Sequence, residues 1–143
     1  MFGARKDVMT DLSTVIANLL VEVRQSRPLV HHITNFVVMN DTANVTLHIG
    51  ALPVMAQAQE EVADMVSRAG SLLLNLGTPT PERLASMLIA GRQANALRVP
   101  IVLDPVGVGA TPFRTDNTMC LLEKLDIAIV RGNLAEMSNL VGK

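Results

Sequence analysis

The sequence predicts an α/β fold: a three-layer α/β/α sandwich with a mainly parallel sheet. Short apolar runs that read as strands alternate along the chain with longer segments of helical periodicity. Strands that are apolar throughout are typical of a parallel sheet covered by helices on both faces, because neither face meets water. No linker, repeat or low-complexity tract divides the 143 residues. We therefore predict a single domain over residues 1–143.

The elements follow one another in a regular order. An amphipathic helix is predicted between Met9 and Pro28, where apolar residues recur at spacings of three and four. The predicted strands are the segments PLVHHIT, LPVMA, SLLLNLG, VPIVLD and DIAIVRG. Further helices are predicted at 39–48, 60–70, 80–97, 111–125 and 133–143, two of them opening on a capping threonine followed by proline. The last strand leaves an edge that a further strand would normally cover, so we expect a fold that is incomplete at its C-terminus.

Composition and charge favour a small-molecule partner. The formal net charge is -1 and the sequence pI is about 6.3, which leaves no basic field for nucleic acid or an anionic membrane. A single cysteine excludes an internal disulfide and suggests a reducing compartment. The first apolar run is interrupted by polar residues and is too short to span a bilayer. We therefore expect a cytoplasmic protein that binds neither membranes nor nucleic acid.

The polar and small residues that directly follow the predicted strands, together with Met55, form the candidate site. Ligands of parallel α/β sheets bind beyond the carboxyl ends of the strands, so these positions converge on one edge. They are Thr34, Asn35, Met55, Asn75, Gly77, Thr78, residues 104–109 and residues 131–136.

The segment IVLDPVGVGAT suggests an anion loop with a metal. Asp104 ends a strand, and Gly107 and Gly109 can turn backbone N–H groups toward an anion near the next helix. The Walker pattern does not occur, and a dinucleotide fingerprint fits poorly because Pro112 stands where its third glycine would be. An ordinary strand-turn-helix connection, with Asp104 as a helix-end acceptor, remains an alternative.

The segment RGNLAE, residues 131–136, also has two interpretations. Arg131 can meet nucleotide phosphates while Glu136 orients metal-bound water, since Mg²⁺ prefers hard oxygen ligands and retains several waters. Alternatively, Asn133 caps a helix and Glu136 completes a capping box three residues later.

Other reactive side chains are expected to be structural. His31 and His32 are consecutive, so a strand points them to opposite faces, and their surroundings lack metal-ligand spacing. Cys120 lies in the apolar segment TMCLLEKL, which predicts a small buried thiol. Most methionines are expected to fill the core, but Met55 follows a strand and is the exception.

Four segments, taken in order, resemble the hydroxyethylthiazole kinase family of the ribokinase-like superfamily. They are HHITNFVVMNDTANVTLHIGALPVMA, LLLNLGT, IVLDPVGVGAT and IVRGNLAE, and the resemblance runs from about Pro28 to Gly142. It implies a ribokinase-like fold and transfer of the ATP γ-phosphoryl group to the hydroxyl of 4-methyl-5-(2-hydroxyethyl)thiazole in thiamin biosynthesis and salvage. It further implies Mg²⁺ as cofactor, ATP as co-substrate and a homotrimer with active sites between subunits.

The resemblance also implies a role for each motif residue. The substrate would be bound by Asn35, Val37 and Met55. ATP would be bound by Arg131 and Asn133, the metal by Asp104 and Glu136, and an anion by the loop that carries Gly107 and Gly109.

The sequence departs from the family at one point. The family's later threonine, which helps bind nucleotide, and its glycine-rich anion-hole loop do not occur in these 143 residues. We therefore expect negligible kinase activity from residues 1–143 alone. The alternative function is a non-catalytic fragment of the kinase that binds thiazole or supports assembly. An oxidoreductase on a dinucleotide-binding fold is a more distant third.

Overall fold

The computed structural model describes residues 4–142, with the side chains of residues 11–142. Helices and strands alternate as the periodicity predicts. The helices are α1 Ala4–Ser26, α2 Met39–Ile49, α3 Val62–Val66, α4 Pro81–Leu97, α5 Pro112–Lys124 and α6 Leu134–Val141. The strands are β1 Leu29–Ile33, β2 Leu52–Val54, β3 Ser71–Asn75, β4 Ile101–Asp104 and β5 Ile129–Val130.

The five strands form one parallel sheet in the order β2-β1-β3-β4-β5. The chain passes from β1 outward to β2 and then crosses back over β1 to reach β3. This reversal opens a crevice between the carboxyl ends of β1 and β3, which is where doubly wound sheets bind ligands. The register pairs Ile33 with Leu74 and Asn75 with Asp104, so neighbouring strands end at nearly the same height.

The main core lies on one face of the sheet. Leu72 and Leu74 of β3 and Leu103 of β4 are fully buried there, against apolar side chains of α3, α4 and α5. On the other face α2 covers β1, since Thr46 contacts His32, whereas Leu73 of β3 is only partly buried. Helices thus lie on both faces of a parallel sheet, and the predicted α/β sandwich is confirmed.

The predicted helix starts are confirmed by their hydrogen bonds. Thr80 and Thr111 accept a bond from the backbone N–H three residues later, and proline opens each helix. These caps satisfy one of the N–H groups that a helix start leaves without an internal partner. Asn133 and Glu136 form a full capping box at the start of α6.

Some local expectations were wrong. Helix α3 covers only Val62–Val66, and β5 has only two residues. Cys120 is partly exposed rather than buried, because its side of α5 does not face the core that Leu121 enters. The apolar side chains of α1 are largely exposed, with Leu12 at 57% and Ile16 at 58%. None of the helices described between residues 4 and 142 has the length and apolarity needed to cross a membrane.

Candidate functional site

A row of polar side chains crosses the carboxyl edge of the sheet. Asn35 after β1 donates from Nδ2 to Asn75 Oδ1 at 2.8 Å, and Asn75 donates from Nδ2 to Asp104 Oδ2 at 2.8 Å. Arg131 after β5 reaches the same Asp104 oxygen at 3.4 Å. Four adjacent strands thus each contribute one member to a continuous row, which we call the edge row: Asn35, Asn75, Asp104 and Arg131. Parallel register makes this possible, because it brings these strand ends to one level.

Asp104 is the central charge of the edge row. It is 7% exposed, and burial raises the pKa of its carboxyl, an effect that Arg131 and the Asn75 amide oppose and nearby Glu136 reinforces. The Arg131 side chain is 65% exposed, so this ion pair lies at the surface of the site. An exposed cation beside a buried carboxylate is available to a ligand that carries negative charge.

Asn35 fixes the loop after β1. Its Oδ1 accepts from the backbone N–H groups of Val37 and Val38, at 2.9 and 3.1 Å, while its amide nitrogen points along the edge row. Gly77 packs directly against it, since a Cβ at that position would lie 2.6 Å from Asn35 Nδ2. A glycine is therefore required for Asn35 to keep this orientation.

The loop after β4 differs from the expected open anion cradle. Gly107 N–H donates to Glu136 Oε1 at 2.9 Å, and Gly109 N–H donates to Thr115 Oγ1 at 3.0 Å. Both amides are therefore engaged within the chain, because α5 and α6 begin beside the loop and supply oxygen acceptors. Anion binding by these two groups would require the bonds to exchange.

Glu136 holds two structural bonds. One carboxylate oxygen accepts from Gly107 N–H, and the other accepts from Asn133 N–H at 2.9 Å. Asn133 in turn accepts from Glu136 N–H, so its side chain serves as the helix cap. The capping interpretation of RGNLAE is therefore correct as local structure, and the capping carboxylate also faces the loop after Asp104.

The predicted thiazole residues follow two neighbouring strands, β1 and β2. Met55 directly follows the edge strand β2 and is half-buried, whereas Val37 is 78% exposed. Three strand steps separate β2 from β4, which corresponds to about 14 Å. The structure therefore groups Asn35 with Asp104 through the edge row, and places Met55 at the far end of the same edge.

The donor set is compatible with Mg²⁺. This ion is usually bound by one or two carboxylates together with water and phosphate oxygens. Both contacts of Asp104 found in the described chain go to Oδ2, so Oδ1 is the atom that could hold a cation, and Glu136 lies nearby. Residues 4–142 contain no cluster of three or more His, Cys, Asp or Glu side chains that could hold a metal by themselves.

Arg83 is a site residue that the sequence interpretation missed. Its side chain is 5% exposed, and its Nη2 donates to Thr34 O at 2.7 Å. Its Nη1 donates to the Thr78 carbonyl at 2.5 Å, and the guanidinium lies 5.1 Å from the ring centre of Phe36. The available signal was its place three residues after a capping threonine, which directs the side chain back toward the strand end.

Arg114 occupies the matching position in the next unit. Its Nη1 donates to Leu76 O at 3.1 Å and to Val106 O at 2.8 Å. Both arginines stand in the same pattern, Thr-Pro-x-Arg, at residues 80–83 and 111–114.

His31 and His32 point to opposite faces of β1 and are buried at 0% and 3% exposure. His31 Nε2 lies 2.8 Å from Ala56 O, and His32 Nε2 lies 3.3 Å from Thr46 Oγ1. Burial lowers the pKa of both rings, that of His32 to about 4.

These features agree with a known family. A profile of the hydroxyethylthiazole kinase family matches residues 20–143. The chain belongs to the hydroxyethylthiazole kinase family. A hydroxyethylthiazole kinase of Chloroflexus aurantiacus is 63% identical over 131 residues, covering 92% of this chain and 49% of the relative. Another, from Roseiflexus sp. RS-1, is 58% identical over 135 residues, covering 94% of this chain and 50% of the relative.

A solved structure supports the fold. The hydroxyethylthiazole kinase protein from Pyrococcus horikoshii OT3 matches with a TM-score of 0.88 at 48% identity. The match covers 90% of this chain and 50% of that chain. The chain therefore spans about half the length of the family members it matches.

Proposed function

We propose that the protein serves in ATP-dependent phosphorylation of the hydroxyl of 4-methyl-5-(2-hydroxyethyl)thiazole. Membership of the hydroxyethylthiazole kinase family supports the reaction. The observation that carries the proposal for this chain is the edge row, because it connects the β1 side of the crevice to the buried carboxylate and exposed arginine of the β4 and β5 side.

The two sides of the crevice bind different ligands. Met55, Asn35 and Val37 form the thiazole side, and Arg131 with Asn133 forms the nucleotide side. In the reaction the substrate hydroxyl oxygen bonds to the γ-phosphorus, the hydroxyl proton passes to water, and the bond from that phosphorus to the ADP oxygen breaks. Phosphoryl transfer depends mainly on positioning and charge neutralisation. Arg131 contributes to both, since it can turn from Asp104 to a phosphate oxygen while remaining at the strand end.

Mg²⁺, when bound, neutralises phosphate charge and orients the triphosphate. Asp104 and Glu136 would hold it. The edge row positions Asp104 for this task, because Asn75 fixes one carboxylate oxygen and leaves the other for the cation. The loop of Gly107 and Gly109 lies between these two carboxylates and would contact the phosphates once its present bonds exchange.

We also propose a domain structure, a location and an assembly for the chain. Residues 1–143 would form one ribokinase-like domain in the cytoplasm and would assemble as a homotrimer. The exposed apolar side chains of α1 and α2, among them Leu12, Ile16 and Val45, favour burial against a partner. The oligomeric mass in solution, measured by light scattering, tests this assembly.

A second candidate is a non-catalytic fragment that binds thiazole or supports assembly. It is favoured by one observation: the sequence carries no GAGC-like loop of the kind that resemblance to the family leads us to expect beside the reacting hydroxyl. Loss of even one preorganised donor typically costs about 10²–10³ in rate. We therefore expect ADP release by purified residues 1–143 to be negligible beside that of an intact kinase.

Calorimetry on two variants tests the division of the site. Asp104→Ala is expected to lower Mg·ATP affinity more than thiazole affinity. Met55→Ala is expected to remove about 1–3 kcal/mol of thiazole binding and to leave ATP binding unchanged. Equal losses for both ligands in either variant would contradict the proposed division. Turnover comparable to an intact kinase would instead show that the catalytic apparatus lies within these residues.

A further inference from the structure

The same strand-turn-helix arrangement occurs twice at the carboxyl edge of the sheet. In each copy a strand ends, threonine caps the next helix, proline opens it, and arginine follows at the third helical position. The arginine side chain then turns back toward the strand ends. Each arginine bonds a carbonyl of its own loop and a carbonyl from the neighbouring strand unit. The Arg83 arrangement therefore joins the ends of β1 and β3, and the Arg114 arrangement joins the ends of β3 and β4.

Arg83 holds the loop on the thiazole side. It bonds Thr34 O and packs against the Phe36 ring, so it contacts the residues on both sides of Asn35. It also holds Thr78, whose φ of +43° is uncommon for a residue with a side chain. The acceptors found for Arg83 in the described chain are all neutral: the carbonyls of Thr34, Asn75 and Thr78 and the Thr78 hydroxyl.

Arg114 holds the loop on the nucleotide side. Its bond to Val106 O fixes the residue before Gly107, and its side chain lies directly against that glycine, 3.1 Å from where a Cβ would stand. The second bond, to Leu76 O, ties this loop to the end of β3. The Val106 carbonyl and the Gly107 N–H belong to one peptide unit, so Arg114 also orients that N–H.

We propose that Arg83 and Arg114 are positioning residues for separate halves of the site, Arg83 for the thiazole-facing loop 34–38 and Arg114 for the anion-facing loop 105–110. The inference rests on the proposed function for the identity of the two ligands. Arg83 uses both amino groups of its planar guanidinium to reach carbonyls of different loops, whereas Arg114 reaches its two carbonyls from Nη1 alone. A lysine retains the charge but cannot reproduce the two-armed contact of Arg83.

Ligand affinity and loop protection together test the proposal on the chain itself. Arg83→Met and Arg114→Met retain an apolar stem and remove the donors, and Arg92→Met, at an exposed position of α4, is the matched control. Calorimetry would measure binding of the thiazole alcohol and of Mg·ATP. Amide hydrogen exchange would measure protection of residues 34–38 and 105–110.

Each arginine is expected to affect its own half. Arg83→Met should weaken thiazole binding about 10- to 100-fold, the range found when residues that orient metal ligands are replaced, with a smaller effect on Mg·ATP. Arg114→Met should show the reverse. In each variant, amide exchange should rise most in the loop that the replaced arginine holds. Arg92→Met should change neither ligand, and the lysine variants should recover part of the affinity.

The outcomes separate this inference from the proposed function. Equal losses of both ligands, or loosened loops with unchanged affinities, would overturn the positioning roles. An unmodified chain that binds neither ligand would contradict the proposed function, while the exchange pattern would still decide whether each arginine holds its own loop. If Arg83→Met does not fold, Arg83→Lys provides the same comparison with the charge retained.

Discussion

The two Thr-Pro-x-Arg turns are alike in sequence but differ in their surroundings. Arg83 is 5% exposed and donates to the carbonyls of Thr34, Thr78 and Asn75, whereas Arg114 is half-buried and donates to two carbonyls. The cap bonds themselves are equal, at 3.3 Å in both turns. Local sequence therefore determines the turn itself. The position of the turn in the sheet determines how deeply its arginine is buried and how many carbonyls it reaches.

The sheet order explains the difference. Helix α4 follows β3, the middle strand of five, so its first turn is surrounded by the loops after β1 and β3. Helix α5 follows β4, one strand nearer the edge, and its first residues are exposed. Burial lowers the pKa of Arg83, which is the electrostatic cost of holding a guanidinium without a carboxylate partner.

The largest difference between the turns is expected in stability. Arg83→Met would remove the donor to the buried carbonyls of Thr34 and Asn75 and to the partly buried carbonyl of Thr78, and we expect the free energy of unfolding to fall by about 2–4 kcal/mol. Arg114→Met should cost about 1–2 kcal/mol, because Arg114 supplies two carbonyls where Arg83 supplies three, and both of its bonds are only partly buried. Urea unfolding followed by circular dichroism would measure both. Equal losses would show that exposure does not separate the two turns.

Acid should destabilise β1 and residues 34–38, which Arg83 holds, before it destabilises the loop that Arg114 holds. Burial lowers the folded pKa of His32 from the ordinary histidine value of 6.5 to about 4, so the unfolded chain takes up a proton before the folded chain does. The stabilisation by neutral His32 is therefore complete above about pH 6.5 and is lost as the pH falls toward 4. We expect a loss of up to about 3 kcal/mol over this range.

The location of the acid effect can be measured. Both buried histidines are on β1, the strand whose end Arg83 holds. Amide exchange at pH 5 should therefore rise more in β1 and residues 34–38 than in β4 and residues 105–110. A His32→Asn variant should have a flatter pH profile, and an unchanged profile would contradict the role of this ring.

Glycine substitutions should separate the two loops at smaller cost. Gly77→Ala would place a Cβ 2.6 Å from Asn35 Nδ2, and we expect a loss of about 1–3 kcal/mol together with weaker thiazole binding. Gly107→Ala meets a φ of +75° and the flexible Arg114 side chain, with an expected cost of about 1–2 kcal/mol and weaker Mg·ATP binding. Calorimetry and thermal unfolding would test both.

The caps should give the smallest difference. Thr80→Ala is expected to cost about 1–2 kcal/mol and Thr111→Ala about 0.5–1 kcal/mol, because water can replace the lost acceptor more easily at the exposed second turn. Serine at either position should restore stability. If both alanine variants lose the same amount, the caps act independently of their surroundings, and the contrast between the turns is confined to the arginines.

Periodicity and turn chemistry could predict much of the fold. Alternating strand and helix signals predicted the order of all elements described between residues 4 and 142, and threonine before proline located the starts of α4 and α5. Strand ends also identified Asn35, Asn75 and Asp104 as neighbours, because parallel strands bring their carboxyl ends to one edge. The motifs alone predicted the family that the comparisons support.

The sequence by itself thus determined the elements, their caps and the set of polar residues that meet at the sheet edge, because these depend on short-range periodicity and on the common direction of parallel strands. Tertiary structure alone decided which atoms pair, such as Gly107 N–H with Glu136 Oε1 and Arg83 Nη2 with the Thr34 carbonyl. Those contacts join residues 29 and 49 positions apart, so they depend on the order in which strands lie side by side. No local pattern in the chain encodes that order.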